Sequence, residues 1–304
     1  MGVKSIIAEL KAFLLTSTAM TLNPLDDAIK RELDEHLRSI EDTLVADAMA
    51  IVSPILPGLD LRVRAAVESK ANRRKGLVII LDTPGGIVEV VERMVSTVRH
   101  YYPNEVGFVI PNRAMSAGTV FVMSGDRILM DHFSCLGPID PQIEKDGRLL
   151  PALSYLNQFE RLNTKAASGQ LTSAEYALLS KLDLAELHQF EQARDLSTEL
   201  LKKWLSKYKF KNWTVTESQH TPVTPQMREQ RAAAIADLLN KNEKWHSHGR
   251  GIAMATLVGD EFKLKIEDYS LLPCNKKIRD YYELLIDYMN RQKLNSFVHT
   301  TDYF

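Results

Sequence analysis

A serine set among small residues is the first feature of this chain that could do chemistry. In Ala114-Met-Ser-Ala-Gly-Thr-Val-Phe-Val122 an apolar strand gives way to helical spacing, and Ser116 falls at the junction. A hydroxyl placed there is aimed at the positive end of a helix, where backbone N–H groups have no partner within the helix. Negative charge developing beside it would be stabilised. Ala114 and Gly118 stand two residues to either side, as the tight turn of a nucleophile elbow requires, although Ala114 replaces the first glycine of that pattern. The plainer reading of Ser116 is a helix cap, a position that serine favours.

A second motif bears on the choice. Asp82-Thr-Pro-Gly-Gly86 follows the apolar run Leu77-Val-Ile-Ile-Leu81 and precedes a helical pattern. Glycines at the carboxyl end of a strand let the backbone approach a ligand, and that edge is where ligands bind in α/β folds. The N–H groups of Gly85 and Gly86 could face an oxyanion; alone, the motif also reads as an ordinary strand-to-helix turn. A glycine pair at one strand end and a serine elbow at the next are together the two halves of an acyl-transfer site.

The elements that must hold these residues follow from periodicity. Met49-Ala-Ile-Val52 reads as a strand, Leu61, Val63, Ala66 and Val67 as a helix face, and Leu77 to Leu81 as a strand covered on both sides. Val90, Val91, Met94, Val95 and Val98 mark the next helix, residues 105–111 another strand, Ala117 onward a third helix and Arg127-Ile-Leu-Met130 a further strand. Such repetition specifies α/β architecture with right-handed crossovers. Beyond residue 150 helices dominate: one through Leu153, Leu156, Phe159 and Leu162, one long helix over 174–207, others over 227–241 and 278–294. Phe262 to Ile266 alternates like an exposed strand, and residues 214–225, with two prolines, form the best linker. The organisation expected is an N-terminal helical segment (1–45), a strand–helix core (46–213) and a mainly helical C-terminal region (214–304).

Composition narrows the functional classes. At 304 residues and 45% hydrophobic content the chain can bury a full core, and 38 basic residues against 39 acidic ones leave no summed field to attract nucleic acid or an anionic membrane. Lys202, Lys203, Lys207, Lys209 and Lys211, interleaved with Trp204, Tyr208, Phe210 and Trp213, therefore read as a snorkelling helix face in preference to a nucleic-acid surface. Cys135 and Cys274 have no metal-ligand spacing and cannot build a disulfide framework, which suits a reducing, cytoplasmic setting. His246 and His248 lack an acidic or cysteine partner at ligand spacing, so a structural role is expected and no metal. Residues 5–20 form an apolar run broken by Glu9 and Lys11, too short to span a bilayer, and read as an amphipathic helix that leaves peripheral membrane contact open.

The succession Leu-Asp-Thr-Pro-Gly-Gly86, Ala-Met-Ser-Ala-Gly-Thr119 and Ser134-Cys-Leu-Gly-Pro-Ile-Asp-Pro-Gln142 resembles the serine dehydrogenase proteinase family, a relative of signal peptide peptidase A within the ClpP and crotonase superfamily. The resemblance covers most of the chain, with Trp245-His-Ser-His-Gly-Arg250 looking like the family's C-terminal part. It implies an α/β, ClpP/crotonase-like core with a helical C-terminal extension, and a serine-type endopeptidase working without a cofactor. Ser116 maps to the nucleophile, and Gly85, Gly86 and Ala117 to the oxyanion hole. The turn Gly137-Pro138 is expected to shape the substrate wall. Where ClpP carries its histidine this chain has none, and His132 falls at the end of the preceding strand. Lys165, 49 residues after Ser116, stands close to the separation seen in the signal peptide peptidases and is the preferred base. It continues the spacing of Leu156, Phe159 and Leu162, so its stem could lie on an apolar face, with Arg161 one turn earlier adding like-charge pressure; the plainer reading is a solvated lysine at a helix end. Relatives of signal peptide peptidase A form rings, which implies a closed homo-oligomer and leaves open whether Lys165 acts within its own chain or reaches the Ser116 of a neighbour. A crotonase-like acyl-CoA enzyme and a non-catalytic assembly protein share the fold and remain the rivals.

Overall fold

The computed structural model describes residues 23–304 apart from 140, 141, 146, 147, 217, 218, 246 and 248. The amphipathic helix expected over 5–20, His246 and His248 lie outside the described residues. Helix α1 (Pro24–Leu44) starts at Asn23, whose side chain accepts from the N–H groups of Leu25 and Asp26, and leads into β1 (Asp47–Val52). Then come α2 (Leu59–Glu68), β2 (Gly76–Asp82), α3 (Val88–Tyr101), β3 (Glu105–Val109), the short β4 (Arg113–Ala114), α4 (Ala117–Val122), β5 (Arg127–Met130) and β6 (Cys135–Leu136). All seven residues of β2 are buried, the reason its apolar run is unbroken: both faces of a parallel strand are covered.

One six-stranded sheet organises the molecule, in the order β10 (Glu267–Asp268), β5, β3, β2, β1, β11 (Phe297–His299), parallel throughout except for its last pair. Its two end strands come from the C-terminal region: β10 pairs with β5 and β11 with β1. Residues 214–304 are thus built into the same sheet as the core. One face packs Met49, Ile51, Ile79, Leu81 and Phe108 against α2, α3 and α4. The other packs Ala48, Ala50, Val78 and Ile80 against α1 and α11 (Asn275–Gln292). Each fully buried Val, Leu or Met contributes about 1.5–3 kcal/mol relative to exposure, so α3, which buries Val90, Val91, Met94, Val95 and Val98, is held by packing.

The hairpin β7 (Gln142–Lys145) and β8 (Arg148–Pro151) leads into the helical region. There α5 (Ala152–Ala167) is followed by α6 (Ser173–Leu179) and α7 (Leu184–Trp204), which ends in a π-helical turn, Leu205–Lys209. The single helix expected over 174–207 is therefore divided. Asp183 ends the continuity by capping α7 through a hydrogen bond to the Ala185 N–H. The chain continues through α8 (Pro225–Asn240), the turn α9 (Asn242–Trp245), β9 (Ile252–Ala253) and α10 (Met254–Val258). Phe262 to Ile266 is not a strand; Phe262 and Leu264 are buried as irregular backbone, and pairing begins only at Glu267. In the basic strip Trp204 and Phe210 are buried and Lys211 Nζ stands 2.5 Å from Asp126 Oδ1. Among the described residues no helix is long and apolar enough to cross a membrane.

Candidate active site

At the carboxyl ends of β2 and β3 the chain leaves the main sheet and forms a smaller one, β4-β6-β9, beside which the serine elbow is built. Thr83 joins the two sheets. Its N–H donates to the Arg113 carbonyl and its carbonyl accepts from the Met115 N–H, both at 3.0 Å, so the strand entering Ser116 is hydrogen-bonded to the strand that carries the glycines. Ser116 itself sits at φ 53°, ψ −121°, outside the regions open to most side chains, at a strain of about 1–3 kcal/mol. It occupies the N-cap position of α4, yet its side chain makes no capping hydrogen bond, which removes the plainer explanation for a serine here. The residue is 3% exposed.

Gly85 and Gly86 reach this serine through a close backbone approach. Gly85 has φ +99°, and a Cβ on it would fall 2.6 Å from the Met115 carbonyl oxygen and 2.7 Å from Ser116 Cβ. No larger residue fits. Gly86 has φ +148°, and a Cβ there would strike the Ile55 carbonyl at 2.2 Å. Ile55 clamps the loop from the other side: its N–H donates to the Gly85 carbonyl and its carbonyl accepts from the Ile87 N–H, each at 2.9 Å. In that parallel bridge the Gly86 N–H points away from Ile55.

Three N–H groups were expected to form the anion site, and the structure distinguishes among them. The Gly85 N–H donates to Thr83 Oγ1 at 3.1 Å and is engaged. Those of Gly86 and Ala117 take part in no hydrogen bond among the described residues, Ala117 being the first residue of α4. Gly137 and Pro138, expected on the substrate wall, are both buried. A Cβ on Gly137 would fall 2.7 Å from Met115 Cε, and the Gly137 N–H donates to Thr119 Oγ1 at 2.9 Å while that hydroxyl donates to the Ala114 carbonyl at 2.8 Å. Gly137 thus braces the turn from within.

Lys165 lies in the last turn of α5, and its Nζ stands 2.5 Å from Glu175 Oε1 of α6. Its side chain is 39% exposed, and its one hydrogen bond among the described residues is to that carboxylate. The ammonium, with the Thr172 N–H and hydroxyl, holds the Glu175 carboxyl down at about 2. Leu156 and Leu162 are buried as their spacing requires, but the apolar face ends before Lys165, and Arg161 is exposed. Within one chain, then, Lys165 is paired with an acid and makes no hydrogen bond to Ser116. His132 is exposed on the turn after β5 and likewise makes none. Two contributors went unforeseen. Thr83 was visible within its motif but read only as turn, and Ile55, an apolar residue after β1, offers no sequence signal for its clamping role.

A family model described as ClpP-like SDH-type serine proteinase matches residues 60–221, just over half of the chain and the part that holds both glycines, the elbow and Lys165. The chain belongs to that family. It is similar to two uncharacterized proteins of Methanocaldococcus jannaschii. One is 32% identical over 100 residues, 33% of each chain. The other is 29% identical over 112 residues, 37% of this chain and 36% of the relative. The matches thus span about a third of the curated relatives' length. Among solved structures it is similar to an alanine variant of 1510-N, a membrane-bound stomatin-specific protease, at 17% identity and TM-score 0.30, covering 47% of this chain and 74% of that one.

Proposed function

We propose that the protein is a serine endopeptidase in which Ser116 is the nucleophile and the N–H groups of Gly86 and Ala117 form the oxyanion hole. The observation that carries this reading is the contact between Gly85 and Ser116: a strained serine held against a loop that only glycine can occupy. In the reaction Ser116 Oγ attacks the peptide carbonyl carbon and loses its proton to a base. The carbonyl oxygen becomes an anion that the two N–H groups stabilise, each worth roughly 10²–10³ in rate. Collapse breaks the C–N bond as the amine takes the proton back, and water then hydrolyses the acyl-enzyme by the same route.

Lys165 is the proposed base, and its pairing with Glu175 in one chain favours a site shared between subunits of a closed homo-oligomer, where a neighbour's Ser116 could take it from the carboxylate. His132 is the competing base. Peptides, or unfolded or membrane-associated protein segments, are the proposed substrates, and no cofactor is invoked. The test is peptide cleavage by Ser116→Ala and Lys165→Ala, separately and after dissociation and reassembly together. Ser116→Ala should lose several orders of magnitude in rate, and the mixture should regain activity if the two residues meet across an interface. Full activity of purified Ser116→Ala would overturn the reading.

A further inference from the structure

Beside the elbow lies a polar cluster in which Asp82 is the common acceptor. Asp82 ends β2 and is 9% exposed. Its carboxylate accepts from the Tyr282 hydroxyl of α11 and, at 3.2 Å, from Asn112 Nδ2; the Arg113 guanidinium stands 3.9 Å away. Asp82 immediately precedes the loop that carries Gly85 and Gly86, and Asn112 immediately precedes, while Arg113 opens, the strand that delivers Ser116. A single carboxylate therefore grips both chain segments just before each enters the site. Tyr282, 200 residues away in sequence, ties that grip to the helix packed across the sheet.

Resting on the peptidase reading above, we propose that Asp82 is a positioning residue for the reaction, with Tyr282 as its latch: together they fix the distance between the glycine loop and the serine elbow. Backbone bonds from Thr83 set that register along the paired strands, and the Asp82 side chain adds a tie outside that pairing. Both ties are needed, because two short segments joined along one line can still pivot about it. Asp82 touches no reacting atom. Burial, and then the hydrogen bond to Asp82, push the Tyr282 phenol well above its ordinary range, so it stays a donor at any working pH.

Elsewhere in the fold lies a control. Tyr102 donates to Asp47 at 2.8 Å, a buried Tyr–Asp bond at the opposite, amino-terminal end of the strands. Removing either phenol deletes one hydrogen bond of the same kind; only Tyr282 bears on the site. Misplacement of reacting groups by 1 Å can cost about 10²-fold in rate, and a loosened clamp permits a fraction of that.

The experiment measures the rate of fluorophosphonate labelling, with kcat and KM for a cleaved peptide, in full-length Asp82→Asn, Tyr282→Phe, Tyr102→Phe and the Asp82→Asn/Tyr282→Phe double variant. Asp82→Asn should label about tenfold slower and Tyr282→Phe about three- to tenfold slower, with the loss in kcat and KM within about twofold. The double variant should be no slower than Asp82→Asn, because Tyr282 acts through Asp82. Tyr102→Phe should label at the wild-type rate despite a similar fall in melting temperature. Wild-type labelling by folded Tyr282→Phe, or equal losses in Tyr102→Phe, would overturn the positioning role while leaving the peptidase reading intact. A wild-type protein that does not label at all would overturn that reading and the inference with it. Should Asp82→Asn fail to fold, Tyr282→Phe against Tyr102→Phe decides alone.

Discussion

Replacing Gly85 by alanine tests the packing of the glycine loop on the serine. The added methyl would lie 2.6 Å from the Met115 carbonyl oxygen and 2.7 Å from Ser116 Cβ, against ordinary contacts of about 3.4 Å or more, so one segment must retreat by roughly 0.7 Å. Alanine at φ +99° adds about 1–2 kcal/mol of backbone strain, and overpacking about 1–3 kcal/mol more. A stability loss of about 2–5 kcal/mol is expected. The retreat also carries the Gly86 N–H away from Ser116, and a displacement approaching 1 Å costs up to about 10²-fold in rate. Two further glycines separate the contributions. Gly169→Ala, at φ +69° with nothing within 4 Å, incurs the backbone strain alone; Gly107→Ala, whose nearest neighbour is 3.4 Å away, incurs almost none. Both should keep wild-type turnover. Urea melts give the stabilities and peptide cleavage the rates; a folded Gly85→Ala protein with undiminished turnover would refute the contact as part of the site.

Further outcomes follow from the same geometry. Ser116→Gly should abolish cleavage yet raise stability by up to about 1 kcal/mol, because glycine adopts φ 53° without strain; urea melts should show the gain. Lys165→Ala should approach the inactivity of Ser116→Ala while His132→Ala stays active, and the reverse pattern would exchange the two roles. Glu175→Gln removes the carboxylate that holds Lys165 Nζ at 2.5 Å, so kcat for peptide cleavage should change; an unchanged kcat would exclude the pair from catalysis. Buried His299 accepts from Tyr281 at 2.7 Å through Nδ1 and donates to Asp34 at 3.0 Å through Nε2, and burial holds its pKa below the ordinary value of about 6.5. The unfolded chain therefore binds the proton first, so stability is full above about pH 6.5 and falls as pH drops below it. His299→Asn should flatten that slope in urea melts between pH 7.5 and 5.

Much of the core was legible because its strands are buried on both faces. Leu77 to Leu81 is a continuous apolar run, and the helices that follow repeat valine at helical spacing, so periodicity alone orders β1, β2, β3 and β5. The glycine pair and the serine were legible as residue types, and their meeting as the product of two motifs. The C-terminal strands were not: Phe297–His299 and Glu267–Asp268 are too short for a period, and partners more than 100 residues away define them. The break before α7 hid because Leu182 keeps the apolar spacing across Asp183. Lys165 shares the spacing of Leu156 and Leu162, but periodicity does not say where an apolar face ends. No local signal links Tyr282 to Asp82, since only the packing of α11 brings them together.

The central claim is that Ser116 is a nucleophile activated within this elbow, and covalent capture tests it most directly. The intact wild-type protein is treated with a fluorophosphonate, in which a serine oxygen displaces fluoride from phosphorus, and the adduct is weighed and mapped by peptide mass spectrometry. A single adduct on Ser116, absent from Ser116→Ala, is the expected result. An unmodified protein, or an adduct on another residue that persists in Ser116→Ala, would contradict it.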